Sequence, residues 1–523
     1  MIRASGILCP ISSLASKYGI GCFSKEAYEF VDFLRDSGQT YWQVLPFGPT
    51  GFGDSPYQSF STFAGNPYFI DLETLRQEGL LTMEDLSGKD FGSNPVSVDY
   101  GAIYQSRNAA LRKSFTRFDA AKEPDYEPFC KQNAYWLETY ALFMAIKEEN
   151  NGASWDVWDE ELKVRDAKAI KAAKERLADA IAYQNFLQFE FDKQWKKLHK
   201  YANDNGVEII GDIPFYTAYD SADTWGEPQM YLFDKKNTPL AVAGCPPDAF
   251  SADGQLWGNP IYDWSYLKRH HYKWWVNRFR RCLELCDILR VDHFRAFDEY
   301  YQIPYGSTTA KTGRWVEGPG IGLFDEVRKE LGDVKVIAED LGYITDSVIA
   351  LVKATGFPGM KVLEFAFDPR EESDYLPHLY EHNCVVYTGT HDNETVRGWI
   401  ENLDNTSRDF ARRYINSLYT DYNAFTWDFI RTAYMSVADT CIIPLQDFLC
   451  KGNEARINHP STTGTNWQWR LYPGELSREL SQAILNLTKL YRRVSPYMME
   501  HDPEEKARAE KRAALKAKMA KMG

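Results

Sequence analysis

Short apolar runs closed by a polar or turn residue recur along the chain. They occupy 6–10, 42–46, 207–212, 288–292, 334–339, 360–365, 385–392 and 440–445. Each is too short for a free-standing helix and most are β-branched, which reads as buried strands. Helical patterns lie between several of them, as at 24–37 and 272–286. Strands alternating with helices predict a parallel sheet. Eight such runs predict an α/β fold of the closed (β/α)8 TIM-barrel type rather than an open sheet. No period of 20–50 residues recurs, which argues against a solenoid.

The spacing of the runs is uneven. The barrel is expected to extend over 1–503, interrupted between its second and third strands, where the gap far exceeds one βα unit. That gap opens with an aromatic, Gly/Pro-rich loop at 51–67. Helical patterns follow, as at 133–142 and 183–189, and predict a mostly helical insert over 66–200. Two further long segments are read as lid loops. One is 214–263, carrying Trp225, Tyr231, Phe233, Phe250, Trp257 and Tyr262; the other is 300–322, rich in Gly and Pro. Residues 504–523 form a charged C-terminal tail. From Lys506 onward it holds seven Lys or Arg against one Glu, a pattern read as a solvated helix or frayed end before a nucleic-acid arm.

Composition narrows the function. The 523 residues are 44 % apolar and 26 % charged, a globular balance that excludes collagenous, disordered and disulfide-scaffold classes. The net charge of −14 argues against nucleic-acid and anionic-membrane partners. Aromatics reach 15 %, and an acidic, aromatic-rich chain suits a neutral ring-shaped ligand. The nine cysteines are odd in number and form no C-x-x-C. Cys282 and Cys286 lack neighbouring ligands and read as buried thiols rather than a zinc site. The N-terminus has no long apolar segment and no membrane-spanning run follows, so a cytoplasmic protein is expected. Nothing in the pattern specifies an oligomeric state.

Four of the runs end in a carboxylate: Asp212, Asp292, Glu339 and Asp392. In a parallel barrel all strands end on one face, so these groups converge where barrel enzymes place their chemistry. The alternative is that each merely caps the helix that follows. Arg290 and Asp292 lie two apart on one strand and share a face. Glu339 follows Val-Ile-Ala, and desolvation there raises a carboxyl pKa. One ionised and one protonated carboxyl make the pair that glycosidic-bond chemistry needs. His391 and Asp392 could bond sugar hydroxyls. A metal site is the rival use of His293, His391 and the acids, but no H-E-x-x-H or calcium loop occurs, and neither metal nor organic cofactor is expected. G-x-S-x-G, G-x-G-x-x-G and P-loop motifs are absent. Loop aromatics Tyr57, Trp257, Tyr300 and Tyr301 are candidates to ring the barrel mouth and stack on sugar faces, with core packing as the alternative.

At this point the motifs resemble a known family. Ser12-Ser13-Leu14, Tyr18-Gly19-Ile20-Gly21, Asp54-Ser55-Pro56-Tyr57, Gly211-Asp212-Ile213-Pro214 and Gly254-Gln255-Leu256-Trp257-Gly258-Asn259-Pro260 are similar to amylomaltase, the bacterial 4-α-glucanotransferase of the α-amylase clan. So are Arg290-Val291-Asp292-His293-Phe294-Arg295, Ala338-Glu339-Asp340-Leu341-Gly342, Thr390-His391-Asp392-Asn393 and Asn466-Trp467-Gln468-Trp469-Arg470. Together they cover nearly the whole chain in order. The resemblance implies an interrupted (β/α)8 barrel and transfer of α-1,4-glucan segments between malto-oligosaccharides. It implies Asp292 as nucleophile, Glu339 as general acid/base and Asp392 as the third carboxylate. Arg290 and His391 match the neighbours that hold these groups, Asp212 matches the first clan motif, and Tyr57, Gln255, Trp257, Asp368 and Asn466 match glucan-binding positions. One departure is Arg295-Ala296, where the family pattern has Arg-Gly; a methyl matters there only if φ is positive. The charged tail is outside the pattern. The rival readings are a hydrolase on the same scaffold and a non-catalytic glucan-binding protein.

Overall fold

The computed structural model describes residues 2–51, 53–247, 252–417 and 421–520. Phe250, named above among the loop aromatics, lies outside them. Strands are numbered in chain order: β1 (Ala4–Leu8), β2 (Tyr41–Gln43), β3 (Glu208–Ile213), β4 (Ala241–Cys245), β5 (Gln255–Pro260), β6 (Ile288–Val291), β7 (Glu299–Pro304), β8 (Arg314–Glu317), β9 (Val336–Ala338), β10 (Gly359–Val362), β11 (Cys384–Tyr387) and β12 (Thr440–Pro444). All eight apolar runs form strands of one sheet, ordered β10-β11-β12-β1-β2-β3-β6-β9. Every pairing in it is parallel. Between the two end strands the Ala338 N–H donates to the Pro358 carbonyl at 2.9 Å, and the Asp340 carboxylate accepts from the Met360 N–H at 2.7 Å. These contacts bring β9 against β10, so the sheet is a nearly closed TIM barrel. Strands covered on both faces need continuous apolar sequence, and β1 and β12 are buried at every position. Polar side chains inside the barrel pair with each other, as where the Tyr387 hydroxyl donates to Gln43 Oε1 at 2.8 Å.

The long gap between β2 and β3 is helical. Helices Tyr100–Phe115, Tyr126–Glu149, Ala167–Arg176 and Ala178–Asp204 are its main elements. Phe63, Trp136, Tyr140, Phe143, Trp155 and Trp158 of this gap form a second core with Trp225, which comes from the segment after β3. The final helix serves both cores: Phe189 packs in the second, whereas Phe186, Phe191, Trp195 and Leu198 pack in the barrel core, where Trp195 donates to the Leu285 carbonyl at 2.9 Å. One rigid helix shared by two cores couples the insert to the barrel.

The segments expected to be lid loops differ from that reading. They pair with each other as a four-stranded antiparallel sheet, β5-β4-β7-β8. The central pairing, β4 with β7, joins residues far apart in sequence, so no hairpin turn announces it. A small core of Val242, Tyr301, Ile303 and Ala310 holds this sheet. Tyr300 and Tyr301, expected at the barrel mouth, are 4 % and 6 % exposed, and the Tyr301 hydroxyl donates to the Ala310 carbonyl at 2.9 Å. Both are packing residues: alternate positions of a strand that is sandwiched rather than free must fill space on each face.

The tail forms the helix Pro503–Ala520. Glu505 in its first turn is buried and pairs with Arg508. Among the described residues no helix is long and apolar enough to cross a membrane.

Candidate active site

Three strand ends deliver Asp212, Asp292 and Glu339 to one face; Asp392, expected at a fourth strand end, lies five residues beyond β11. Asp212 on β3 is the register partner of Arg290 on β6, and β6 is followed directly by Asp292. On the next strand, β9, Val291 pairs with Ala338, so Asp292 and Glu339 are the residues that follow neighbouring register partners. Backbone bonds fix both ends: the Asp292 N–H donates to the Ile213 carbonyl at 3.0 Å and the Glu339 N–H to the Val291 carbonyl at 3.1 Å. Asp392 arrives from the loop after β11. None of the four has the helix-capping role considered above; the following helices are capped by other residues, Thr345 and Thr395 among them.

Arg290 organises the centre. Its Nη1 donates to both oxygens of Asp212, at 2.8 and 2.7 Å, and its Nη2 donates to Asp292 Oδ1 at 3.1 Å. The Tyr57 hydroxyl adds a bond to Asp212 Oδ2 at 2.7 Å. The Asp212 side chain has no exposed surface, whereas that of Asp292 is 29 % exposed. Asp212 therefore meets the site through Arg290 and Tyr57 rather than directly, and Asp292 faces the cleft with most of its lone pairs open. Burial disfavours the guanidinium, but the flanking carboxylates more than offset this and push Arg290 above its ordinary range.

Replacing Arg290 with Met is expected to destabilise the fold by about 3–5 kcal/mol, because it leaves a buried carboxylate unpaired. The double variant R290M/D212L should recover most of that loss in denaturant unfolding. A double variant no more stable than the single one would refute the ion-pair explanation.

Glu339 is held by backbone alone. Oε2 accepts from the His293 N–H at 2.6 Å and Oε1 from the Leu341 N–H at 3.0 Å. Burial pushes its carboxyl up to about 7, the Asp292 charge adds to this, and Arg290 and the two N–H groups pull the other way. Asp392 is the opposite case. Burial works against its charge, yet the His391 ring at 3.2 Å and the Asn458 amide at 2.6 Å hold it down at about 2. Burial likewise disfavours the charged His391 ring, but Asp392 raises it overall. The site thus carries one carboxyl that keeps its proton to neutral pH and one that stays ionised.

Around these acids, Tyr57 stacks on His391 with centroids 5.1 Å apart at 16°, and Trp467 packs against both. Asn466 accepts from the His459 N–H at 3.0 Å and donates to the Thr462 carbonyl at 2.9 Å. It shapes the turn that sets Trp467. Trp257 donates to Gln255 Oε1 at 3.0 Å, and both lie on β5 of the antiparallel sheet. Asp368 is not drawn into this network; it grips Arg370 through two bonds at 2.7 and 2.8 Å. Ala296 sits in the 3-10 turn Phe294–Phe297 and is not among the positive-φ residues, so the departure from Gly is accommodated.

A family profile described as 4-alpha-glucanotransferase matches residues 9–476. The chain belongs to the 4-alpha-glucanotransferase family. A 4-alpha-glucanotransferase of Clostridium butyricum is 48 % identical over 485 residues, covering 92 % of this chain and 99 % of the relative. That of Thermus thermophilus is 44 % identical over 486 residues, covering 91 % and 96 %. The solved amylomaltase of Streptococcus agalactiae in complex with acarbose has a TM-score of 0.91 at 41 % identity, covering 94 % of this chain and 100 % of that one.

Two residues of this candidate site carried no sequence signal. Asn458 bonds Asp392 Oδ1, and Arg456 donates to the Asp392 carbonyl at 2.6 Å. Both lie in irregular chain after β12, with neither periodicity nor motif to mark them. Asn393, by contrast, stood in a quoted motif: its Oδ1 accepts from Thr390 N–H and Oγ1 at 2.9 and 2.8 Å, which tightens the turn that presents His391 and Asp392.

Proposed function

We propose that this enzyme transfers α-1,4-glucan segments between malto-oligosaccharides by a retaining double displacement. Asp292 attacks the anomeric carbon while Glu339 protonates the departing oxygen, giving a covalent glycosyl-enzyme and a shortened glucan. The 4-hydroxyl of a second glucan then gives its proton to Glu339 and displaces Asp292. Asp392, held ionised, stabilises positive charge at the ring during both steps. Arg290, with Asp212 and Tyr57 behind it, fixes Asp292. Each step draws only on side chains of this chain. The relatives' names and the acarbose of the structural neighbour support the substrate class.

The reading rests chiefly on one observation: the Glu339 carboxyl stands at the strand end beside Asp292, where burial pushes it up to about 7. A general acid that must also serve as base works best with a pKa near working pH. We assign the enzyme to the cytoplasm, a reducing compartment suited to its odd number of cysteines. Incubation with maltotriose tests transfer against the hydrolase reading. Transfer yields glucose and a ladder of longer oligomers; products that are all shorter than the substrate would mean hydrolysis, and no products at all would mean a binding protein.

A further inference from the structure

We infer that His293 reads the acceptor: its Nε2 hydrogen-bonds a hydroxyl of the glucose unit that departs with the leaving group and is replaced by the incoming acceptor. This rests on the transferase reading above. His293 follows Asp292 directly and takes a left-handed backbone, φ 51°, a conformation uncommon for a non-glycine residue. In that conformation its N–H binds Glu339 Oε2 at 2.6 Å, so the residue is tied to both central acids.

Its ring is set apart from the Arg290 network. It meets Trp257 edge to face, with centroids 5.0 Å apart at 86°, and lies 6.3 Å from the ring of Tyr216. The contacts around Asp292 and Glu339 thus fall into two sets. Tyr57, His391, Trp467 and Asp392 form one, which holds the sugar being transferred. Trp257, Tyr216 and His293 form the other, and Glu339, which must reach the bridging oxygen, is bonded to this second set. The second set therefore faces the leaving and acceptor side. His293 Nε2 is enclosed and has no hydrogen-bond partner among the described residues, a costly state for a ring nitrogen unless something arrives to bond it. Burial pushes the ring down to about 4, so at neutral pH it is uncharged and able to donate or accept. A neutral nitrogen beside an aromatic edge is suited to a sugar hydroxyl, the ring face resting on Trp257 and the hydroxyl on the imidazole.

The test uses 4′-deoxy-α-maltosyl fluoride as donor, because it carries no sugar on the leaving side and no 4-hydroxyl with which to act as its own acceptor, with maltose varied as acceptor. His293→Gly keeps the left-handed backbone and removes the ring; His293→Asn also tolerates that backbone and keeps a polar group. In His293→Gly the maltose concentration for half-maximal transfer should rise about five- to twentyfold, the loss of one such hydrogen bond. Fluoride release without maltose should fall less than transfer at limiting maltose, so that the two losses separate. His293→Asn should lie between. Unchanged dependence on maltose overturns the inference. So does an equal fall with and without maltose, which would mark a purely structural role. Parent turnover indifferent to maltose would show instead that the transferase reading itself has failed, and the inference with it.

Discussion

Replacing Asp292 with asparagine is expected to lower maltotriose turnover by about 10⁴-fold or more, the scale seen when a covalent nucleophile is removed. An amide oxygen is a poor nucleophile and forms no stable glycosyl ester. The loss should be chemical rather than structural. Asp292 receives one bond from Arg290 at 3.1 Å, which the asparagine oxygen can still accept, and Asp212 keeps its two-bond contact with the guanidinium. Thermal melting should therefore stay close to the parent's while product formation stops. A D292N variant within tenfold of the parent would remove the covalent intermediate from the account.

The second large effect concerns Glu339. Glutamine at this position should cost about 10²–10⁴-fold on maltotriose, the usual weight of a general acid. The pH profile carries the sharper prediction. A carboxyl raised to about 7 keeps its proton through the mildly acidic range, and the proton is what departs with the leaving oxygen. Activity should be present below that value and fall as pH rises through it. In Glu339→Gln the falling limb near 7 should vanish, since the amide does not titrate. Fluoride donors need no proton on departure, so E339Q should still release fluoride in a first turnover. A parent limb at the ordinary carboxylate value, or a limb near 7 that survives in E339Q, would contradict the assignment.

What could be read in advance, and what could not, follows from the range of the interactions. The eight barrel strands were legible because a parallel strand covered on both faces needs a continuous apolar run. The carboxylates were legible because strand ends are marked locally, by the residue after the last apolar one. Asp212, Asp292 and Glu339 each stand at such an end. The antiparallel sheet was not legible: β4 and β7 are joined by no turn, and the Gly/Pro content around them is that of loops. Tyr300 and Tyr301 were misplaced for the same reason, since a residue assigned to a loop is assumed to face water. Asn458 and Arg456 could not be found from local pattern. Their importance lies wholly in reaching Asp392 across space, 66 residues away in the case of Asn458. The Asp368–Arg370 pair shows the converse: a position picked by resemblance can be engaged with a sequence neighbour, a contact that no strand-end rule reveals.

The most direct test of the whole account is to trap the intermediate. E339Q incubated with 4′-deoxy-α-maltosyl fluoride, which has no 4-hydroxyl and cannot serve as its own acceptor, should accumulate enzyme heavier by one 4′-deoxymaltosyl group. Proteolysis and mass spectrometry should then place that group on the peptide carrying Asp292, at its side chain. A sugar found on Asp392 or Asp212, or enzyme that turns over the fluoride without ever carrying a sugar, would contradict the assignment of Asp292 as the residue that takes the glucan.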